Sequence, residues 1–416
     1  MKHLVKMILV VMLILSLMVG CSSVNADDEN ASITFMNFSS SGANEEVLKE
    51  LVDGFMADNP NIKVEIQTYG YSDYFDQLAT KIAGGSAPDV FELNIENFRA
   101  YAEKDAIIEL DTLLDDNNID VSAIHPKAID AFKVDGKQFG LPTKFSNVVM
   151  FYNQDLFDQA GIAYPDETWT WAEELEAAKA IKALGADYFG VFRPIQTHEF
   201  YKTVAQNGGG MMNSDQSEFT LNSPENIEAL QMMIDRINVS NVTPTADQMG
   251  GMGDWDLFKS GRLGMLVTGI WAFGDFTDNI DFTWDIVVEP GIEQKATHFF
   301  SDSVVVSKSS ENEAAAAKFA AYIASSPVVA ERRLEANWDL PVVLTDEVVE
   351  KYLSITPPNN KQAVFDSLEY LVMPPSLEKF GAIADDLMKY VDQAIAGNMT
   401  AKEALDAAQE EISGKY

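Results

Sequence analysis

The segment that follows residue 30 alternates short apolar runs with amphipathic helical patterns. The runs "SITFMNF", "IKVEIQTY" and "PDVFEL" are rich in β-branched and aromatic residues and predict strands. "NEEVLKELVDGFMADNP" and "SDYFDQLATKIAGG", which lie between them, predict helices that end at Asn59–Pro60 and at a glycine pair. Because strand–helix–strand alternation joins parallel strands through a covering helix, this pattern predicts an α/β fold with mainly parallel sheets flanked by helices.

The rest of the chain continues in the same style. Val148–Tyr152 predicts a strongly apolar strand, and the starts of four later helices are marked by residues that cap a helix N-terminus. These are Thr170 with Glu173, Ser223 with Pro224, Ser310 with Glu313, and Thr400 with Glu403. A folded part of roughly 385 residues is too long for a single core. Since no repeat or low-complexity linker marks a boundary, we expect two or more domains that are joined by several crossovers.

The first 20 residues have the layout of a secretory signal peptide. Lys2 and Lys6 precede an apolar run from Met7 to Val19, which is shorter than the roughly 20 residues that span a membrane. Cys21, the only cysteine in the chain, follows directly. This arrangement is similar to the processing site of bacterial lipoprotein precursors, in which the cysteine is acylated. We therefore predict a lipoprotein signal over 1–20, and an acylated Cys21 followed by a polar, flexible tether over 21–31.

The composition is strongly acidic, with 65 Asp and Glu against 29 Lys and Arg and a net charge of −36. Affinity for phosphate groups comes mostly from basic side chains, so this balance opposes binding to nucleic acid and to anionic lipid surfaces. The plainer interpretation is that the charge only keeps the protein soluble. In either case we expect no nucleic-acid partner.

Motifs for catalysis and for cofactors are absent from the sequence. His125, His198 and His298 are isolated, and the glycine clusters "NGGGMM" and "QMGGMGDW" lack the Lys-Ser/Thr of a phosphate-binding loop. There is no Gly-x-Ser-x-Gly nucleophile motif. The sequence therefore predicts binding without turnover, no cofactor and no metal. A carboxylate pair of a glycoside hydrolase stays open, because 65 acidic residues allow many such pairs.

Aromatic and polar residues follow the predicted strands. In "FKSGRLGMLVTGIWAF" a strand-like stretch ends in a small-residue loop that carries Trp271. Open α/β folds bind ligands at the carboxyl ends of their strands, and a tryptophan face suits the apolar face of a sugar ring. Trp271 is therefore a candidate stacking residue or, alternatively, a cap on the core. Trp338, in "EANWDLPV", carries the same two alternatives.

Four segments resemble those of the bacterial extracellular solute-binding proteins, the family that includes maltose-binding protein and supplies ABC importers. The segments are "GGSAPDVFEL", "QFGLPTKFSNVVMFYNQDLF", "TWTWAEELEAAKAI" and "FKSGRLGMLVTGIW", and they occur in the order that the family has. The resemblance implies two α/β lobes with a ligand cleft between them and several hinge crossovers. The first lobe would comprise 32–143 and 298–343, and the second 144–297 and 344–416.

The resemblance also implies positions for the ligand-binding residues, which come from loops on both lobes. These residues are Ser39, Ser40, Ser41, Asn94, Glu96, Asn97, Ser146, Gln196, His198, Tyr201, Trp271 and Asp302. Trp338, from the argument above, completes the set of candidate ligand-binding residues. The second-lobe strand would begin after Lys144, and His198 is equally well read as a loop histidine. Maltose-binding members have an acid where Ser146 stands and a tryptophan near Leu93, so maltose itself is not implied.

The function implied is capture of a mono- or oligosaccharide by closure of the cleft and delivery to a membrane permease. The protein would act as a monomer held on the outer face of the membrane by its lipid. Three alternatives remain at this point: the same scaffold with a non-sugar solute, an extracytoplasmic glycoside hydrolase, and a structural surface lipoprotein without a small ligand.

Overall fold

The computed structural model describes residues 30–40, 42, 44–124, 126–375, 377 and 379–416. Cys21, Ser41 and His125 lie outside the described residues. The strands, in chain order, are β1 (Ala31–Asn37), β2 (Ile62–Thr68), β3 (Val90–Asn94), β4 (Lys133–Val134), β5 (Lys137–Gln138), β6 (Gly140–Ser146), β7 (Val148–Asn153), β8 (Phe189–Phe192), β9 (Leu263–Gly269), β10 (Trp284–Val287), β11 (Thr297–His298), β12 (Phe300–Val306), β13 (Leu340–Pro341) and β14 (Leu371–Val372).

Two sheets organise the molecule. The first has six strands in the order β13-β6-β12-β3-β1-β2, and the second has four in the order β10-β7-β9-β8. The predicted α/β fold is confirmed, but the sheets are mixed rather than mainly parallel. β1 pairs in parallel with β2 and β3, as the alternation predicts, whereas β12 is antiparallel to both β3 and β6. The reason is that the chain returns from the second sheet at the edge where β3 ends. β12 begins at this edge and therefore runs antiparallel to β3.

Helices cover both sheets, and their apolar faces pack on the strands. They are α1 (Glu45–Asp58), α2 (Tyr71–Ala83), α3 (Ile95–Glu103), α4 (Asp111–Asp116), α5 (Pro126–Asp130), α6 (Gln154–Ala160), α7 (Trp171–Lys182), α8 (Thr197–Gln206), α9 (Pro224–Asn238), α10 (Ala246–Met249), α11 (Asp254–Lys259), α12 (Phe273–Asn279), α13 (Glu313–Ser325), α14 (Pro327–Glu335), α15 (Asp346–Ser354), α16 (Gln362–Asp366), α17 (Phe380–Ile395) and α18 (Ala401–Lys415), with 3-10 turns at Ile270–Ala272 and Ser367–Tyr370. Across the described part of the chain, no helix combines the length and apolar character that a membrane span requires.

Three of the four predicted helix starts are confirmed. The Thr170–Glu173 and Thr400–Glu403 capping boxes are both formed, and Ser223 caps α9 ahead of Pro224. The Ser310–Glu313 box is wrong. The hydroxyl of Ser310 instead donates to Asp89 Oδ1 at 2.6 Å, because a carboxylate is the stronger acceptor, and α13 begins without a side-chain cap.

The two sheets are joined at closely spaced crossovers. Between β6 and β7 only Asn147 separates the first sheet from the second, and its buried amide donates to Val364 O at 2.7 Å. Next to it, the Thr297 hydroxyl donates to Val148 O at 2.7 Å, and β11 pairs in parallel with β14. Residues distant in sequence therefore meet at this junction. The strand that was expected to begin the second lobe after Lys144 is part of β6, which stays in the first sheet as far as Ser146.

Candidate functional site

One edge of the six-stranded sheet gathers most of the residues predicted for the first lobe. β1 and β3 end there at Asn37 and Asn94, and β6 ends at Ser146. β12 begins at the same edge, because Phe300 lies opposite Ser146, while Asp302 lies opposite Asn94 and Lys144. Parallel strands place their carboxyl ends together, which is why the loops after these strands meet.

The turn after β1 is held from beneath by a buried carboxylate. Glu92 accepts hydrogen bonds from the backbone N–H of Phe38 and of Ser39, both at 2.9 Å, and from the Ser39 hydroxyl at 2.6 Å. The hydroxyl of Ser40 donates to Asn37 Oδ1 at 2.5 Å. Both serine side chains are thus engaged within the protein, and they shape the turn.

Trp338 supports the same turn from the other side. Its indole N–H donates to Ser39 O at 2.9 Å, and the ring stacks on the Arg333 guanidinium at 4.1 Å. The side chain is only 5% exposed. Trp338 therefore orients the Ser39 turn, and it offers little surface for a ligand to stack on.

A buried ion pair lies at the centre of this edge. Lys144 Nζ is 2.9 Å from Asp302 and 3.9 Å from Asp339, which in turn is paired with Arg333. Burial opposes the charge on Lys144, but the carboxylates of Asp302 and Asp339 outweigh it, and the pKa of Lys144 is raised. The lysine is therefore charged and already paired.

Asn94, Asn97 and Glu96 form a polar rim at the start of α3. The Asn94 amide donates to the Tyr71 hydroxyl at 3.1 Å and accepts from Asn97 at 2.8 Å. Burial, together with the charge of Asp302, raises the pKa of Glu96 to about 7. The Tyr71 ring is 58% exposed and packs edge-on against Phe38 at 5.3 Å between centroids, so its hydroxyl is held while its face stays open.

The matching edge of the four-stranded sheet carries the residues predicted for the second lobe. β8 and β9 run in parallel and end at Phe192 and Gly269, and Trp271 follows in the 3-10 turn. The Trp271 ring is 42% exposed. It packs edge-on against Phe300 at 5.4 Å, and since Phe300 belongs to β12 this contact joins the two sheets.

The segment between β8 and α8 carries the other three predicted residues. Gln196 is exposed at the N-terminus of α8, His198 is half-buried 6.0 Å from the Phe300 ring, and Tyr201 is buried. Burial and then the charge of Glu96 raise the pKa of Tyr201. Because Phe300 belongs to β12 of the first sheet, its ring contacts with His198 and Trp271 show that the two edges face each other.

The structure therefore brings together the predicted residues that it describes, although their contacts to a ligand stay predictions. Reasoning from sequence missed Tyr71, Phe300 and Lys144. Tyr71 could have been found, because it follows the second predicted strand just as the chosen loops follow theirs. Phe300 could not, since it lies inside "HFFSDS", where only Asp302 was singled out as a polar group.

A cavity of about 650 Å³ lies elsewhere, near the C-terminus. Its lining includes Phe219, Lys379 and Tyr416. We place the functional site at the facing sheet edges instead, because polar and aromatic groups from both sheets converge there.

Two α/β units are joined by short crossovers, and their carboxyl edges face each other and carry open aromatic faces. This arrangement defines the class of cleft-binding proteins. Comparison with known families gives the same answer, since residues 39–330 match the bacterial extracellular solute-binding proteins. The chain belongs to this family, which is a family of binding proteins.

Solved structures of the family have the same two-lobed fold. The ABC substrate-binding protein Lmo0181 from Listeria monocytogenes, solved in complex with cycloalternan, is 43% identical; the match covers 93% of this chain and 99% of that chain, with a TM-score of 0.88. The maltose-bound MalE3 of T. maritima matches over 93% of this chain and 100% of its own, with 20% identity and a TM-score of 0.79, and so is similar in fold alone.

Another relative is more distant in sequence than the Listeria protein. The arabinooligosaccharide-binding protein of Bacillus subtilis is 26% identical over 300 residues, which are 70% of this chain and 68% of that protein.

Proposed function

We propose that this protein is the ligand-capturing component of an ABC importer and that its ligand is a neutral oligosaccharide. The observation that carries the proposal is the pair of open aromatic faces, Tyr71 beside the first sheet and Trp271 beside the second. Aromatic faces set among hydroxyl, amide and carboxylate groups suit a sugar, which has apolar ring faces and a polar rim. The cycloalternan complex of the 43% identical Listeria protein supports the same ligand class.

The charges of the site favour a neutral ligand. Lys144 is already paired with Asp302, and Glu96 adds a further carboxyl group with a pKa of about 7. An anionic ligand would have to approach these carboxylates within a chain whose net charge is −36. Sugar hydroxyls, in contrast, can donate to the same oxygens without any charge to be compensated.

The roles of the predicted residues then divide into two groups. Ser39, Ser40 and Trp338 shape the turn after β1, and Ser41, which lies outside the described residues, stays a proposed ligand contact. The groups that we propose to contact the ligand are Asn94, Glu96, Asn97, Ser146, Gln196, His198, Tyr201, Trp271 and Asp302.

Capture would proceed by closure of the two lobes about the crossovers at Asn147 and Thr297. A ligand that contacts both edges favours the closed form, and a shift from mostly open to mostly closed requires about 5.5 kcal/mol of differential binding. We propose no bond cleavage. We propose that the first lobe comprises 32–143 with 298–343 and the second 144–297 with 344–416. The first crossover between them is moved from residue 144 to Asn147, where β6 leaves the first sheet.

The N-terminal segment and the transport partners complete the proposal. Acylation of Cys21 would hold the protein, as a monomer, on the extracytoplasmic face of the membrane. There the closed form would dock to the permease subunits.

The test is calorimetry with cycloalternan, maltose, arabino-oligosaccharides, a polyamine and a peptide, combined with X-ray scattering of the free and saturated protein. We expect binding of at least one saccharide and a smaller radius of gyration on saturation. Binding of only the amine or the peptide would refute the sugar assignment. Release of reducing sugar during the titration would support the hydrolase instead.

A further inference from the structure

A buried charge cluster lies directly behind the second edge of the site. It contains three cationic and three anionic side chains, which are Arg193, Lys202, Arg236, Glu174, Glu199 and Glu289. Lys202 Nζ lies 2.6 Å from Glu199 and 2.7 Å from Glu289, and Arg193 bridges Glu289 and Glu174. Arg236 lies 3.4 Å from Glu174 and completes the cluster. The charges of the cluster balance, so a further buried charge there would be uncompensated.

His298 connects this cluster to Tyr201. The imidazole is fully buried, with Nε2 at 3.2 Å from Glu199 Oε1 and Nδ1 at 2.8 Å from the Tyr201 hydroxyl. Burial lowers the pKa of His298 to about 4, although Glu199 opposes this; Lys202 and His198 lower it further. The ring is therefore neutral at neutral pH and carries a single N–H.

The position of that hydrogen follows from the neighbours. Burial alone would raise the pKa of Glu199, but Lys202 and His298 outweigh it and hold this pKa below its usual range. Glu199 is thus a carboxylate, which can only accept. The hydrogen must be on Nε2, which leaves Nδ1 with a lone pair, and so the Tyr201 hydroxyl is the donor in the 2.8 Å contact.

We infer that Glu199 and His298 are positioning residues that fix Tyr201 as a hydrogen-bond acceptor, which recognises a donor group, a hydroxyl, on the bound saccharide. The inference rests on the function proposed above. Its consequence is a selectivity: since the only hydrogen of the tyrosine hydroxyl is taken by His298, a ligand that offers an ether oxygen at this point would find no donor. A tyrosine without such a partner could serve either kind of group.

The hydrogen position can be measured without any ligand. Two-bond ¹⁵N–¹H correlation of histidine-labelled protein identifies which ring nitrogen is protonated, and His298→Gln assigns the signal. We expect the Nε2–H form from pH 8 to pH 5, with at most about a tenth of the ring protonated at pH 5. An Nδ1–H form, or titration near the ordinary pKa of about 6.5, would overturn the inference.

The effect on recognition is measured by calorimetry with cycloalternan. Tyr201→Phe should weaken binding about three- to tenfold, the usual effect of one neutral hydrogen bond. Glu199→Gln, which frees the histidine to take either tautomer, should weaken binding as well. In that background Tyr201→Phe should have a clearly smaller effect, because the pair acts as a unit.

Tyr164→Phe is the matched control, since it removes an exposed hydroxyl that bonds only Asp158 among the contacts described. Unchanged affinity of Tyr201→Phe, or fully additive effects in the double variant, would refute the inference. Wild-type protein that binds no saccharide of the panel would instead refute the proposed function, and the tautomer measurement alone would then decide the polarity of Tyr201.

Discussion

The position of the Trp271 ring depends on the absence of a side chain at Gly269. A Cβ atom built on Gly269 would lie 2.0 Å from Cζ3 and 2.1 Å from Cη2 of the indole. The backbone itself would accept alanine, because Gly269 has φ −84°. Gly269→Ala should therefore displace the ring while the strand that precedes it stays intact.

The magnitude follows from the exposed part of the ring. About two fifths of a tryptophan surface of roughly 250 Å² is about 100 Å² that a sugar could cover. At about 25 cal/mol per Å², this burial contributes about 2.5 kcal/mol, which corresponds to roughly 70-fold in Kd. In the folded protein the other three fifths of the ring is covered, by Phe300 and the Gly269 backbone among others, so Trp271→Ala should also lower the free energy of unfolding, by about 3–4 kcal/mol.

Calorimetry with cycloalternan and urea denaturation separate the two effects. We expect Trp271→Ala to bind roughly 70-fold more weakly, Gly269→Ala to bind more weakly although it keeps the indole, and Trp271→Phe to lie between wild type and Trp271→Ala. Gly253→Ala is the control, because nothing lies within 4 Å of its added Cβ and its φ is −74°. A wild-type Kd in both Trp271→Ala and Gly269→Ala would refute the stacking role.

Three further predictions concern ionisation, packing and anchoring. The pKa of Glu96 is about 7 in the native state, whereas its ordinary value is 4.5, so the free energy of unfolding falls as pH rises through this window. Glu96→Gln should therefore raise the melting temperature at pH 8 but not at pH 5. Equal shifts at the two pH values would contradict this prediction. Gly190→Ala would place a Cβ 2.3 Å from the Ala178 carbonyl of α7 and should cost about 1–3 kcal/mol in urea denaturation; an unchanged midpoint would show that the helix can yield. Cys21→Ser should release the protein from membranes; a variant that still fractionates with membranes in high salt would refute the lipid anchor.

Local sequence signals predicted the elements well, because they act over a few residues. The apolar run at Val148–Tyr152 is a buried strand that extends one residue further, and the box at Thr170 begins a helix. The prediction of a capping box at Ser310 was wrong because local signals do not include tertiary contacts. Its hydroxyl has a competing acceptor, Asp89, that is distant in sequence and invisible to a local pattern.

The candidate site was predictable where a residue follows a strand, and less so where a role depends on tertiary contacts. Trp271 satisfies the simple rule and has an open face. Trp338 is a tryptophan on a loop as well, but only the fold brings Arg333 and the Ser39 carbonyl to it and so buries it. His298 is isolated in sequence, and its partners Glu199 and Tyr201 are 99 and 97 residues away.

The central position of β12 in the six-stranded sheet has a consequence for biosynthesis. β6 and β3 both pair with β12 and are joined through it, so a nascent chain that has not yet reached residue 306 carries β3 and β6 with open inner edges. Unpaired edges of this kind invite aggregation. Fragments that end before β12 should therefore fold poorly. The N-terminal strands leave the ribosome early, but the first sheet cannot be completed until β12 has been synthesised.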